Sequence, residues 1–425
     1  MTIGFIVSFF DFRNDVRRVI EILSVSHKVV VFFKSSDESL VLNHKLPGVE
    51  YRPIIERKSN WKNIIAEQLF LYLKKLPASR NNYFLMELLK ISNLKSKKAV
   101  RKGNLIIKLQ QILPCLISYD QLLKWLRSFC KTQISDIDRF IFFTEITDDY
   151  LLSRLLRENK DIVTYVYSWD HPCKHTRFSR QVQYYCWSEG IKKDIEELQK
   201  IDPKKITVTG ASQFGYIFEF LNSKSQYLHR TYAFDYIYFG CGIGIKKLVP
   251  QEVEVIKQLA EATYKEKPDL KFVVRPYPVL DQWSLYGELK ILPNIILDDS
   301  FRNKDLSISD AEIYSKFEKI WHAKAFLHLG TTLGLEACFT ETPSFIINFG
   351  YKKTNGLSVY AFIHQYQNDK YLGYPSKENT LENLGDYVRF LKSNNPTKFL
   401  KINYKVQREF PLQSFSEFCK RLISQ

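Results

Sequence analysis

The segment Ile313–Gly350 holds the side chains best suited to chemistry. Its apolar run AFLHL leads into Gly330, Thr331 and Thr332, and a helix is predicted from Leu333. The amides at a helix N-terminus, with the positive end of the helix dipole, attract anions, and two hydroxyls add donors. A phosphate or diphosphate is the expected ligand there. Glu336 follows Thr332 by one helical turn on the same face, where a carboxylate accepts two hydroxyls of a ribose. The structural alternative is that Thr332 only caps the helix and Glu336 satisfies neighbouring amides.

Three further groups stand at the ends of apolar runs. Arg275 closes the strand-like KFVVRPYP and pairs either with a phosphate or with Asp298 or Asp299. FGCGIGIK sets Gly240, Gly242 and Gly244 before Lys246 and Lys247. Glycines let backbone approach a phosphate closely, though the same spacing serves a tight turn. YVYSWDHPCKHTRFSR places Trp169, Asp170, His171, Cys173, His175, Arg177 and Arg180 directly after a strand. Asp170 or His171 is suited to remove a proton from a hydroxyl. The spacing of Asp170, His171, Cys173 and His175 matches no standard metal module. His364, among aromatic residues in VYAFIHQY, reads as a core or surface histidine or as a group reaching the site from the second half.

The elements that must position these groups follow an α/β rhythm. Thr2–Phe10 is an apolar strand. Asp11 and Asn14 supply capping-type side chains, and Val16, Val19, Ile20 and Leu23 recur with helical period before the strand HKVVVFFK. Nearly continuous apolar strands imply a parallel sheet with helices on both faces, whose functional rim lies at the strand C-termini. Residues 60 to about 130 differ: WKNIIAEQLFLYLKKL, YFLMELLKI and YDQLLKWLRSF read as helices around a basic stretch at 93–104, a helical insertion. The α/β rhythm returns at Asp138, and a second series of strands begins near residue 235. The reading is two Rossmann-like domains, 1–225 and 226–425, facing across a ligand cleft, with the last helix packing back on the first.

Composition bounds the rest. With 425 residues, two or three domains are expected at roughly 150 residues each. Hydrophobic residues at 45% and aromatics at 15% exclude a mainly disordered chain. An excess of 62 basic over 46 acidic side chains attracts anionic partners. Seven scattered cysteines with no CxxC pair favour neither a disulfide framework nor a zinc module, and fit a reducing cytoplasm. The opening MTIGFIVSFFDFRND, without a basic n-region or a small-residue cleavage site, reads as a buried strand rather than a signal peptide, and with no uncharged apolar run of about 18 residues no membrane span is expected. A nucleic-acid binder is the rival of another class, motivated only by charge; no helix-turn-helix, zinc knuckle or aromatic RNA-binding pattern accompanies it.

A helix bearing Tyr314, an apolar strand, GTTLGLEA, the Thr342-Pro343 turn and a second apolar strand together resemble the donor half of GT-B glycosyltransferases. The likeness is greatest to bacterial enzymes of capsule, O-antigen and other surface-polysaccharide assembly, and more distant to teichoic-acid glycerophosphate transferases and UDP-GlcNAc 2-epimerases. The resemblance implies that Gly330, Thr331 and Thr332 bind a donor diphosphate and Glu336 the nucleotide ribose, with Arg275, Gly242, Gly244 and Tyr314 beside them. The family often has His where this chain has Tyr277. In the first half, the Trp169-Asp170 pair resembles the start of the family's interdomain loop, and GASQFGYIF at 210–218 resembles the family's hinge, which implies that Gly210 and Gly215 supply its freedom. Asp11, at the end of the first strand, is either an acceptor-side base or a helix cap, and Glu145 holds an equivalent place. If the reaction inverts configuration, Asp170, His171, Asp11 or Glu145 serves as the base. The resemblance further implies a nucleotide sugar as donor, no cofactor and no metal, and a glycan or lipid-linked glycan acceptor. The location it implies is cytoplasmic, peripheral on the inner membrane face. The basic stretch at 93–104 is either a solvated face or a contact with anionic lipid. Transfer of a polyol phosphate from a CDP-linked donor is the alternative enzyme.

Overall fold

The computed structural model describes residues 1–7, 14–55, 61–74, 98, 101, 105, 117–126, 130–143, 148–169, 171–174, 177–223, 232–244, 246–277, 280–299, 309–350, 379–393 and 395–424. They form two compact units. The first contains Arg101–Gly215 and Gln413–Gln425 together with the N-terminal part of the chain; the second contains Tyr216–Leu412.

The first unit is built on strands β1 (Thr2–Ile6), β2 (Lys28–Lys34), β3 (Glu50–Ile54), β4 (Arg139–Phe142), β5 (Asp161–Tyr165), β6 (Gln183–Cys186) and β7 (Ile206–Val208). Their order is β3-β2-β1-β4-β5-β6-β7, and every pairing is parallel. Helix α1 (Asn14–Ser24) buries Val16, Val19, Ile20 and Leu23, the stripe its spacing predicts. The other described helices of this unit are α2 (Glu38–Leu42), α3 (Trp61–Leu73), α4 (Tyr119–Trp125), α5 (Asp149–Arg157), α6 (His171–Lys174) and α7 (Glu189–Gln199); α8 (Phe214–Asn222) carries the chain across the division. Gly4 is flanked so tightly that a Cβ would lie 2.9 Å from the Phe32 ring. β3 escaped the sequence reading because Pro53 interrupts it. Edge strands tolerate proline, and Arg52 anchors this one by two bonds, 2.7 and 2.6 Å, to the Asp136 carboxylate. Of the expected insertion, α3 and α4 are present. YFLMELLKI and nearly all of the basic stretch lie outside the described residues.

The second unit holds β8 (Tyr236–Gly240), β9 (Lys271–Arg275), β10 (Ile295–Leu297), β11 (Phe326–His328), β12 (Ser344–Ile347) and β13 (Thr380–Leu381), ordered β10-β9-β8-β11-β12-β13 and again all parallel. Helices α9 (Val249–Glu266), α10 (Asp310–Trp321), α11 (Thr332–Phe339), α12 (Leu384–Leu391) and α13 (Lys401–Glu409) cover it, with 3-10 turns over Leu280–Ile291. Tyr236, Tyr238, Val273, Ile320, Phe326 and Ala337 form its core. The α/β class with two parallel sheets, the architecture that the GT-B resemblance implies, is therefore present.

The last helix, α14 (Phe415–Ile423), buries Phe415, Phe418, Cys419 and Leu422 in the first unit, where the Phe418 ring meets the edge of Tyr165 at 5.3 Å. This segment explains the two glycines read as hinges. A Cβ on Gly210, whose φ is +88°, would lie 2.3 Å from Gln413 Nε2, and one on Gly215 would lie 2.8 Å from the Phe415 ring. Both are sites of close approach, and Gly215 is helical. No helix among the described residues is long and apolar enough to cross a membrane.

Candidate functional site

The site of the second unit grows from the register of two neighbouring strands. β11 lies beside β8 with His328 opposite Gly240, so the turns that follow, Gly330–Thr331 and Cys241–Gly242, emerge side by side at the carboxyl edge. A Cβ on Gly242 would stand 3.1 Å from the Gly330 carbonyl oxygen and 3.2 Å from Thr331 Cβ, and one on Gly240 would meet the Phe326 ring at 2.5 Å. A Cβ on Gly244 would stand 3.3 Å from the Tyr277 ring. The glycine spacing thus brings three strand ends together.

Gly330 has φ +107°, a backbone that side chains resist. Its amide donates to Nδ1 of His328 at 3.0 Å. His328 is fully buried, and burial pushes its pKa down to about 3, so the ring stays neutral. The ring in turn requires Gly334, where a Cβ would lie 2.5 Å from it. The helix cap is Thr331, whose hydroxyl accepts from the Leu333 amide at 3.4 Å; Thr332, expected to hold that place, is the first helical residue. Gly330, Thr331 and Thr332 are partly exposed, so the N-terminal turn of α11 reaches solvent.

Behind the glycine turn lies Glu252 of α9, fully buried. It accepts from the Gly242 amide at 2.9 Å and from the Tyr286 hydroxyl at 2.7 Å. Burial pushes its carboxyl up to about 7 against the pull of those hydrogen bonds. Burial also raises the thiol of neighbouring Cys241, and the Glu252 charge adds to the effect.

Arg275 is paired with Asp298: its guanidinium donates to the carboxylate at 3.1 Å, Lys319 at 2.6 Å and the Tyr238 hydroxyl at 2.5 Å. Burial alone would lift the Asp298 pKa; Arg275 and Lys319 outweigh it and hold the carboxyl below its ordinary value. Two cations, one of them from the end of β9, thus share one carboxylate just after β10. Glu336 is buried and accepts from Lys316 Nζ of α10 at 2.7 Å. Tyr314, on the same helix, donates to Glu219 at 2.7 Å, and its ring meets Tyr216 edge-on.

The second unit therefore brings Gly242, Gly244, Gly330, Thr331, Thr332 and Arg275 to one sheet edge, with Glu336 and Tyr314 on the adjoining helices. In the first unit, Asp11, Glu145, Asp170 and His175 lie outside the described residues, as does His364 of the second half. His171 is described and buried, its amide donating to the Ser168 carbonyl at 3.1 Å.

Four residues escaped the sequence reading. Lys316, His328 and Glu252 support the second unit's turns, and Glu252 had left a signal: an acid between Val249 and Ile256 on the apolar stripe of its helix. In the first unit Asp15, buried in the opening turn of α1, accepts from the Tyr167 hydroxyl at 3.0 Å and the Ser212 hydroxyl at 2.7 Å. Its neighbour Asn14 drew attention as a capping residue instead.

No family model and no curated protein matches this chain. Among solved structures, it is similar to a glycosyltransferase from Rickettsia africae at 13% identity and a TM-score of 0.46, covering 100% of this chain and 97% of that one. It is also similar to a UDP-GlcNAc 2-epimerase from Neisseria meningitidis bound to UDP-GlcNAc, at 10% identity, TM-score 0.47 and coverages of 100% and 99%. The wall teichoic acid polymerase TagF is similar at 9% identity, TM-score 0.45 and coverages of 99% and 87%.

Proposed function

We propose that the chain is a GT-B glycosyltransferase, moving a sugar from a nucleotide-activated donor onto a hydroxyl of a surface glycan or lipid-linked glycan at the cytoplasmic face of a membrane. The observation that carries this reading is the seating of the Gly242 turn against Gly330–Thr331 at the open N-terminus of α11. The partly exposed first turn of α11, with its helix dipole and the Thr331 and Thr332 hydroxyls beside a glycine turn, suits a diphosphate, and the leaving phosphate gains negative charge as the glycosidic bond to it breaks. In this reading Arg275, at the carboxyl end of β9, supports the same charge, and no metal is required. Glu336 accepts the ribose hydroxyls, with Lys316 balancing its charge. Asp170, His171, Asp11 or Glu145 takes the acceptor proton if the reaction inverts.

A thermal-shift panel of UDP, GDP, CDP, CMP and their sugar conjugates tests the reading. A ligand at about 100 times its Kd stabilises by roughly 2.7 kcal/mol. One nucleotide family should raise the midpoint of the wild type and fail to raise that of Glu336→Ala. A response confined to CDP-linked polyols, with release of CMP, would turn the assignment to phosphate transfer. No response from any nucleotide overturns it.

A further inference from the structure

We propose that Glu252 is the positioning residue of the donor site: by accepting the Gly242 amide it seats the glycine turn on Gly330–Thr331 and sets how strongly that turn tolerates a diphosphate. The proposal rests on the reading of the second unit as the donor half.

A carboxylate with no exposure is costly unless its oxygens are engaged. Here Oε1 accepts from Gly242 and Oε2 from Tyr286, so α9 and the 3-10 turns are tied to the loop after β8 through one side chain. The groups that act on it most strongly are the amides of Gly242 and Ile243, the Tyr286 hydroxyl and the Cys241 thiol. The contact made by the tethered residue is close: a Cβ on Gly242 would stand 3.1 Å from the Gly330 carbonyl oxygen, tighter than most side-chain contacts. Releasing the tether therefore frees a loop residue that abuts the turn proposed to hold phosphate.

The charge on Glu252 has a second effect. When ionised, it places a negative charge behind the glycine turn, and an anion held by that turn is repelled. When protonated, it keeps one oxygen free to accept the Gly242 amide while the repulsion disappears. Since the carboxyl titrates near about 7 through burial, both forms are populated around neutral pH. Donor affinity should consequently fall as pH rises through neutrality.

Calorimetric titration with UDP-GlcNAc, GDP-mannose and CDP-glycerol, whose diphosphates do not themselves titrate in this range, tests the charge effect. Hydrogen exchange of the peptide spanning 240–244 tests the tether. For the wild type we expect the Kd of the bound probe to weaken about fivefold between about pH 6 and about pH 8. Glu252→Gln retains an acceptor for Gly242, so it should bind with little pH dependence and exchange like the wild type at matched pH. Glu252→Ala should exchange faster at this peptide, bind about tenfold more weakly than the wild type at about pH 6, where the wild-type carboxyl is mostly protonated, and show little pH dependence.

A wild-type slope preserved in Glu252→Gln, or loop exchange unchanged in Glu252→Ala, overturns the proposal. If no probe binds the wild type, the donor reading fails, and the exchange comparison still decides the tether. If Glu252→Ala does not fold, the pH profile of Glu252→Gln decides alone.

Discussion

Lys316 Nζ lies 2.7 Å from Glu336 Oε2, and the two side chains are only 12% and 10% exposed. The pair joins α10 to α11 just below the N-terminal turn that the site depends on. Removing one partner strands the other in a poorly hydrated place, so Lys316→Met or Glu336→Leu alone should each cost about 2–4 kcal/mol, while the double variant regains most of it. Urea denaturation of the four proteins measures the coupling. Additive losses would show that the pair holds nothing together.

Gly334 and His328 are matched by size. A Cβ on Gly334 would meet two ring atoms at 2.5 Å, and the ring is fully buried. Gly334→Ala should therefore destabilise by about 1–3 kcal/mol even though alanine favours helix. His328→Ala in the same chain should recover part of the loss. Equal or greater stability of the single variant would refute the packing argument.

The two shifted groups under the turns give opposite pH slopes. His328 is depressed to about 3, so the stability it carries is present above its ordinary value near 6.5 and drains away as pH falls toward the folded value. Glu252 is raised from 4.5 to about 7, so its contribution is full below 4.5 and is lost as pH rises to about 7. Between about pH 5 and about pH 6.5 the two oppose each other. His328→Asn, which keeps an acceptor for Gly330, should make stability fall with pH across this window. Glu252→Gln should make it rise. Denaturation midpoints taken across the window read the sign directly, and a change of slope in the wrong direction for either variant contradicts the assignment.

Asp298 holds Arg275 and Lys319 together in the interior. Asp298→Ala leaves two buried cations without their carboxylate and should cost about 3–5 kcal/mol; adding Lys319→Met should return part of that. Because the Asp298 carboxyl is held below its ordinary value, the stability it supplies is present above the unfolded carboxylate range near about 3.9 and is lost only as pH falls through the folded pKa. Guanidinium titrations of the single and double variants check the first claim. An unaltered midpoint in Asp298→Ala would show that the cations find other partners.

Much of the architecture was legible in the chain because helix and strand are written in local period. Val16, Val19, Ile20 and Leu23 mark α1, and the apolar runs ending at Gly240, Arg275 and His328 are the strands observed. The turn at Gly330 was legible for the same reason: an apolar run, a glycine and two threonines prescribe a strand end, a positive φ and a helix cap. Pro53 concealed β3, since a proline argues against a strand until the sheet order places that strand at an edge.

The partners were not legible. Nothing in the order of residues says that β8 lies beside β11, because β9 and β10 intervene in the chain and the sheet places them on the other side. That adjacency alone sets Gly242 on Gly330, and it makes the glycine spacing meaningful where the motif by itself allowed a plain tight turn. The same limit applied to Arg275, whose two possible partners were equal in sequence; the fold gave it Asp298 once β9 and β10 had paired. The local pattern of this sequence determined its strands, its helices and the turn that ends β11. Tertiary structure decided which turns touch, and which charges are buried together, because those contacts follow from strand order and register rather than from neighbours along the chain.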